Sequence, residues 1–147
     1  MDATRKLEII EETRAFYKGH PERFGWNLEM NRCAYYAISK AGDECKCAVG
    51  RFIPTDMAPY SEYGGTVWSL FYDNKAQRHD DPSPYRLIEE FADPHDDDFW
   101  SKLQSAHDVC AESFSKQRPG EGGAIAWWNK FNTTLDYVKA SVSTGDC

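Results

Sequence analysis

The segment Ala124 to Val142 constrains this chain more than any other. Ile125, Trp128, Leu135, Val138 and Val142 recur at helical spacing, with Phe131 beside them. A helix with such a stripe is held by covering the stripe, so the remaining residues must supply a core against it. Two other segments share the period. Thr4 to Lys18 sets Leu7, Ile10, Arg14 and Tyr17 on one face with Phe16 adjacent; Asp2 or Thr4 can cap its start, and Gly19 with His20-Pro21 ends it. Asp96-Asp97-Asp98 opens the third, because carboxylates satisfy the free N–H groups and the dipole of a helix start. There Phe99, Leu103, Ala106, Cys110 and Phe114 form one stripe, and Trp100, Gln104, His107 and Ala111 the next. Pro119-Gly120-Glu121-Gly122-Gly123 separates it from the last helix.

The segment after the first helix reads as a β-hairpin. Cys33 to Ile38 is one run, Ser39 to Glu44 the turn, and Cys45 to Ile53 the return run, closed by Pro54. Alternation sets Cys45, Cys47, Val49 and Arg51 on one face and Ala48, Gly50 and Phe52 on the other. Pro54 to Gly65 is loop-rich. Thr66 to Tyr72 suits a strand or a short helix, Asp73 to Pro84 a polar loop, and Tyr85 to Phe91 a short helix stopped near Pro94. The expected fold is α+β: a small antiparallel hairpin or sheet packed on three main helices. With 147 residues the chain is expected to be a single domain, 1–147, whose last five residues fray.

Asp plus Glu number 24 and Lys plus Arg 17, a net charge of −7. A duplex nucleic acid needs clustered cations, and no run of them exists, so duplex binding is not expected. A small anion needs only one or two local cations and stays possible. No stretch approaches the roughly 20 apolar residues of a membrane span, and the first residues form no signal-peptide run. The expectation is a cytoplasmic protein with its 5 cysteines as free thiols.

Cys33-x-Tyr35, a Gly-Asp turn and Cys47-Ala48-Val49-Gly50 precede a helix reading Trp100-x-x-Leu103-Gln104-x-x-His107-Asp108. In these motifs the chain resembles small uncharacterised proteins of phages and bacteria that pair a C-x-Y…C-A-V-G hairpin with a W-x-x-L-Q-x-x-H-D helix. The resemblance spans about two-thirds of the chain. It implies an accessory protein of phage type and brings no activity and no catalytic residues.

Several residue sets could carry chemistry, each with a plainer reading. Cys33, Cys45 and Cys47 with His107 or Cys110 could bind zinc, but paired knuckles are lacking and buried cysteine is a common small hydrophobe. Cys33 or Cys47 with His107 and Asp108 could be a nucleophile and base. Neighbouring helix residues diverge by about 100°, so a direct His107–Asp108 pair is not expected. The plainer reading has His107 hydrogen-bonding the hairpin or first loop. His79, Asp80 and Asp81, with His95 to Asp98, could hold Mg²⁺ or Ca²⁺ but lack EF-hand offsets; a solvated loop and a helix cap explain them. Tyr35, Tyr36, Tyr60, Tyr63, Trp68, Trp127 and Trp128, with Arg32, Arg51 and Lys130, could stack on and neutralise a nucleotide, though most such rings fill a core. Trp128 is expected in the core and Trp127 towards the surface.

The functional expectation is a phage-type counter-defence protein that sequesters a small nucleotide-derived signal without catalysis and needs no cofactor and no metal. Its pocket would lie between the hairpin, the Pro54–Trp68 loop and the last two helices. Arg51 would neutralise phosphate, Tyr36, Trp68 or Trp127 would stack on a base, and Lys130 and His107 would complete the site. The alternatives are an acidic inhibitor of a host defence protein or nuclease, then a nucleotide hydrolase using His107, His95 or His79.

Overall fold

The computed structural model describes residues 1–20, 23, 26–27, 32–33, 37–38, 44–54, 57, 67–72, 84–116 and 123–145. Four α-helices run through them: α1 (Ala3–Tyr17), α2 (Trp68–Phe71), α3 (Asp97–Lys116) and α4 (Gly123–Thr144). The fold is mostly helical, which corrects the α+β expectation. Among the described residues two antiparallel ladders of two residues a side are paired. Trp26–Asn27 meets Arg32–Cys33, and Ala37–Ile38 meets Glu44–Cys45.

The return run predicted to be a strand explains the difference. Cys47, Ala48, Val49 and Gly50 are buried in succession, whereas a half-buried strand would expose every second residue. The backbone winds instead. Arg51 N–H donates to the Cys47 carbonyl at 3.2 Å, Phe52 N–H to Val49 at 3.1 Å and Ile53 N–H to Gly50 at 3.1 Å. A short apolar run has no period of its own that separates strand from helical turn.

Helix α1 starts where Asp2 Oδ1 accepts from Arg5 N–H at 2.8 Å, and it is followed by Gly19 at φ +73°. Its buried face is Lys6, Ile9, Ile10, Thr13 and Tyr17. A 3₁₀ turn, Pro94–Asp96, feeds α3, in which both predicted stripes are buried as far as Ala111 except Gln104, which is half-buried. Helix α4 packs on both α1 and α3. Its buried side chains are Trp127, Phe131, Leu135, Val138 and Val142. That stripe is rotated from the predicted one: Trp127 is 3% exposed, Trp128 only partly buried, and Ile125 76% exposed. The 3.6-residue period survives the rotation, because 127, 131, 135, 138 and 142 also follow three- and four-residue steps.

Residues 84–91 form two 3₁₀ turns, Pro84–Leu87 and Glu89–Phe91, in place of one short helix. Of the segment Thr66 to Tyr72, Trp68–Phe71 forms α2, and Thr66 lies outside the described residues. Among the described residues no helix is long and apolar enough to cross a membrane.

Candidate anion-binding site

The turn at residues 46–52 is fixed from two sides. Cys47 Sγ accepts the Gly50 N–H at 3.2 Å, and Gln104 Oε1 on α3 accepts the Val49 N–H at 3.3 Å. Gln104 Nε2 in turn donates to Asp108 Oδ1, which also lies 3.0 Å from His107 Nδ1. The C-A-V-G segment and the L-Q-x-x-H-D helix, some 55 residues apart, are thus one hydrogen-bonded unit. On the α1 side the Tyr17 hydroxyl donates to the Lys46 carbonyl at 2.5 Å, and Lys46 N–H donates to the Arg23 carbonyl at 3.2 Å.

This unit carries a cleft of about 360 Å³ lined by Phe16, Arg23, Lys46 and Arg51. Three of its four described lining residues are cations, in a chain of net charge −7. The Arg51 guanidinium packs 5.2 Å from the Phe16 ring and 4.9 Å from Phe52; Arg23 lies 5.1 Å from Phe16 and donates from Nη1 to its carbonyl at 2.8 Å. These ring contacts hold both guanidinium groups without neutralising them.

Arg51 is the least compensated. Its side chain is 11% exposed, and its Nη1 has no hydrogen-bond partner among the described residues. Among the described residues one carboxylate reaches it, Glu12, with Oε2 3.8 Å from Nη2, beyond hydrogen-bond length. Burial lowers the Arg51 pKa from its ordinary value, with Tyr17 and Glu12 opposing. A buried cation so placed is stabilised by an incoming anion that supplies charge and acceptors together.

Of the predicted site residues that are described, Arg51 lines this cleft and Trp68, Trp127, Lys130 and His107 do not. Trp68 sits on α2, 36% exposed and stacked on Tyr72 at 4.8 Å. Trp127 is buried on α4 with its ring edge-on to Trp128, and Lys130 is exposed on the same helix. His107 is fully buried, its ring 5.3 Å from Tyr17. Tyr36 lies outside the described residues, as do Tyr35, Tyr60, Tyr63, His79 to Asp81 and the Gly64-Gly65 loop. Phe16, Arg23 and Lys46 were not foreseen as site residues. Their sequence signal is weak, since two lone cations and a ring mark a site only once the turn gathers them.

The competing chemistries meet specific obstacles. Cys47, one of the two candidate nucleophiles, is buried, and burial raises its thiol pKa to about 12, whereas reaction requires thiolate. His107 and Asp108 do approach each other, contrary to expectation, because their side chains lean together although their Cβ directions diverge. Burial nonetheless lowers the His107 pKa, the Asp108 hydrogen bond opposing. Asp96, a metal candidate by sequence, already pairs with Lys6 Nζ at 2.9 Å and the Met1 amine at 2.8 Å. Among the described residues no three His, Cys, Asp or Glu side chains cluster as a metal site.

A second hollow, of about 440 Å³, runs between α3 and α4 beside Val109 and Tyr137 and is mainly apolar. No protein-family model, curated protein or solved structure matches the chain.

Proposed function

We propose that this protein binds and sequesters a small phosphate-bearing, nucleotide-type ligand, with the phosphate held in the cleft of Arg23, Lys46 and Arg51. The observation that carries the reading is the Arg51 guanidinium, whose buried Nη1 has no hydrogen-bond partner among the described residues, in a cleft whose other described lining residues are two cations and a ring. Phosphate oxygens match a guanidinium bidentately and exchange readily for its missing partners. Holding a ligand needs no transition-state stabilisation, and the burial of His107 and the protonated Cys47 suit binding without turnover. A phage-type accessory protein would use such binding to remove a host defence signal.

The test is thermal unfolding against pyrophosphate, cyclic mono- and dinucleotides and ADP-ribose. A ligand at 100 times its Kd adds about 2.7 kcal/mol, a shift of several degrees. At least one phosphate compound is expected to shift wild type, to be recovered intact after denaturation, and to leave Arg51→Met unmoved. Recovery of altered compound would mean turnover. No shift from any phosphate compound would refute the cleft as an anion site.

A further inference from the structure

Glu12 stands at the edge of the cleft with its two oxygens divided between two arginines. Oε1 accepts from Arg5 Nη1 at 2.7 Å, while Oε2 is 3.8 Å from Arg51 Nη2. Glu12 lies one helical turn before Phe16, on the same side of α1. Arg5 lies two turns before Glu12 and is outside the cleft. It also meets Glu8 at 3.3 Å and Glu90 at 3.7 Å, so it is held by three carboxylates. The short bond therefore goes to the arginine that has other partners, and Arg51 is left with the long contact.

We propose that Glu12 sets how tightly the cleft holds phosphate, and that Arg5 is the positioning residue that keeps Glu12 back from Arg51. The inference rests on the anion reading of the cleft. A phosphate on Arg51 meets like-charge repulsion from Glu12, so Glu12 lowers affinity even where it stands. Without Arg5 the carboxylate loses its hydrogen-bonded anchor, and the nearest unsatisfied cation is Arg51. Glu12 would then close onto Arg51 and occupy the bonds that phosphate would use. The two effects have opposite signs and share one carboxylate, which makes them separable by a double-mutant cycle.

The experiment is calorimetric titration of pyrophosphate, free of divalent metal and at fixed ionic strength, into wild type, Glu12→Gln, Arg5→Gln and the double variant. Arg5→Lys serves as the charge-keeping control, and each melt verifies folding. Glu12 is half exposed, so effects of about two- to fivefold are expected. Glu12→Gln tightens binding, Arg5→Gln weakens it, and Arg5→Gln has no further effect once Glu12 is neutral. Arg5→Lys stays near wild type. An equal loss on removing Arg5 in both backgrounds would show that Arg5 acts by its own charge and would overturn its positioning role. Wild-type binding with an unresponsive Glu12→Gln would overturn the tuning role alone. Absence of wild-type binding would remove the anion reading and this inference together.

Discussion

The Arg51 guanidinium touches two rings and answers one distant carboxylate, so its packing and its charge can be removed separately. Arg51→Met keeps a long apolar stem and is expected to stay within about 1 kcal/mol of wild-type stability while losing phosphate binding; Arg51→Ala should lose both. Urea unfolding beside the pyrophosphate titration measures the split. Cys47 gives a pH prediction. Its pKa rises from 9.0 to about 12 on folding, so the native state prefers the thiol. The contribution is complete below 9.0 and is lost as pH climbs towards about 12, by about 1.4 kcal/mol per unit at most. Melting temperature should therefore fall across that window, less steeply in Cys47→Ala, and the native thiol should resist alkylation at pH 8. His107 acts on the other flank. Its folded pKa lies below 6.5, so its contribution is present above 6.5 and is lost as pH falls towards the depressed value.

At the scale of elements, the 46–52 turn meets α3 through the hydrogen bond from Val49 N–H to Gln104 and the ring contact of Phe52 with Trp100. Gln104→Ala leaves the buried Val49 N–H without its acceptor and is expected to cost about 1–3 kcal/mol. Hydrogen exchange would show the loss at residues 47–50 first. Faster exchange spread evenly over α1 and α4 would mean that Gln104 supports the whole core instead. The α1–α4 seam behaves differently. Arg14 reaches Asn132 and Asp136, and Lys139 reaches Glu11, all near solvent. Such pairs are worth little, and Asp136→Asn should change stability by less than about 1 kcal/mol. The three long helices were legible because their apolar residues repeat over many turns. The turn was not, since Cys45 to Ile53 spans too few residues for a period, and only its seat under Gln104 and Tyr17 decides its path.

Across the whole molecule, Asp96 joins the start of α1 to the start of α3. It lies 4% exposed between the Lys6 ammonium and the Met1 amine, 90 residues from Lys6 in sequence. Asp96→Ala would leave Lys6 buried without that counter-charge, and a loss of about 3–5 kcal/mol is expected by chemical denaturation. Adding Lys6→Met should restore part of it, because two apolar side chains replace a stranded cation. If the double variant is no better than the single, the cost lies in the Met1 amine rather than in Lys6.

What the sequence determined by itself was the set of long helices, a first cap at Asp2 or Thr4, the stop at Gly19 and the excess of negative charge. These are local or additive properties: period, capping chemistry and charge sums need no knowledge of neighbours. It also singled out Arg51, although with partners, Trp68, Trp127, Lys130 and His107, that do not line its cleft. Tertiary structure alone decided which tryptophan of the Trp127-Trp128 pair is buried, since neighbours on a helix differ by a rotation that only the facing helices choose. It alone turned a predicted strand into a wound turn and set Arg23, Lys46 and Arg51 around Phe16. Those three cations are scattered in an acidic sequence, and they form a site because the Tyr17 hydroxyl, donating to the Lys46 carbonyl, and Gln104, accepting from Val49 N–H, help hold the turn against α1 and α3.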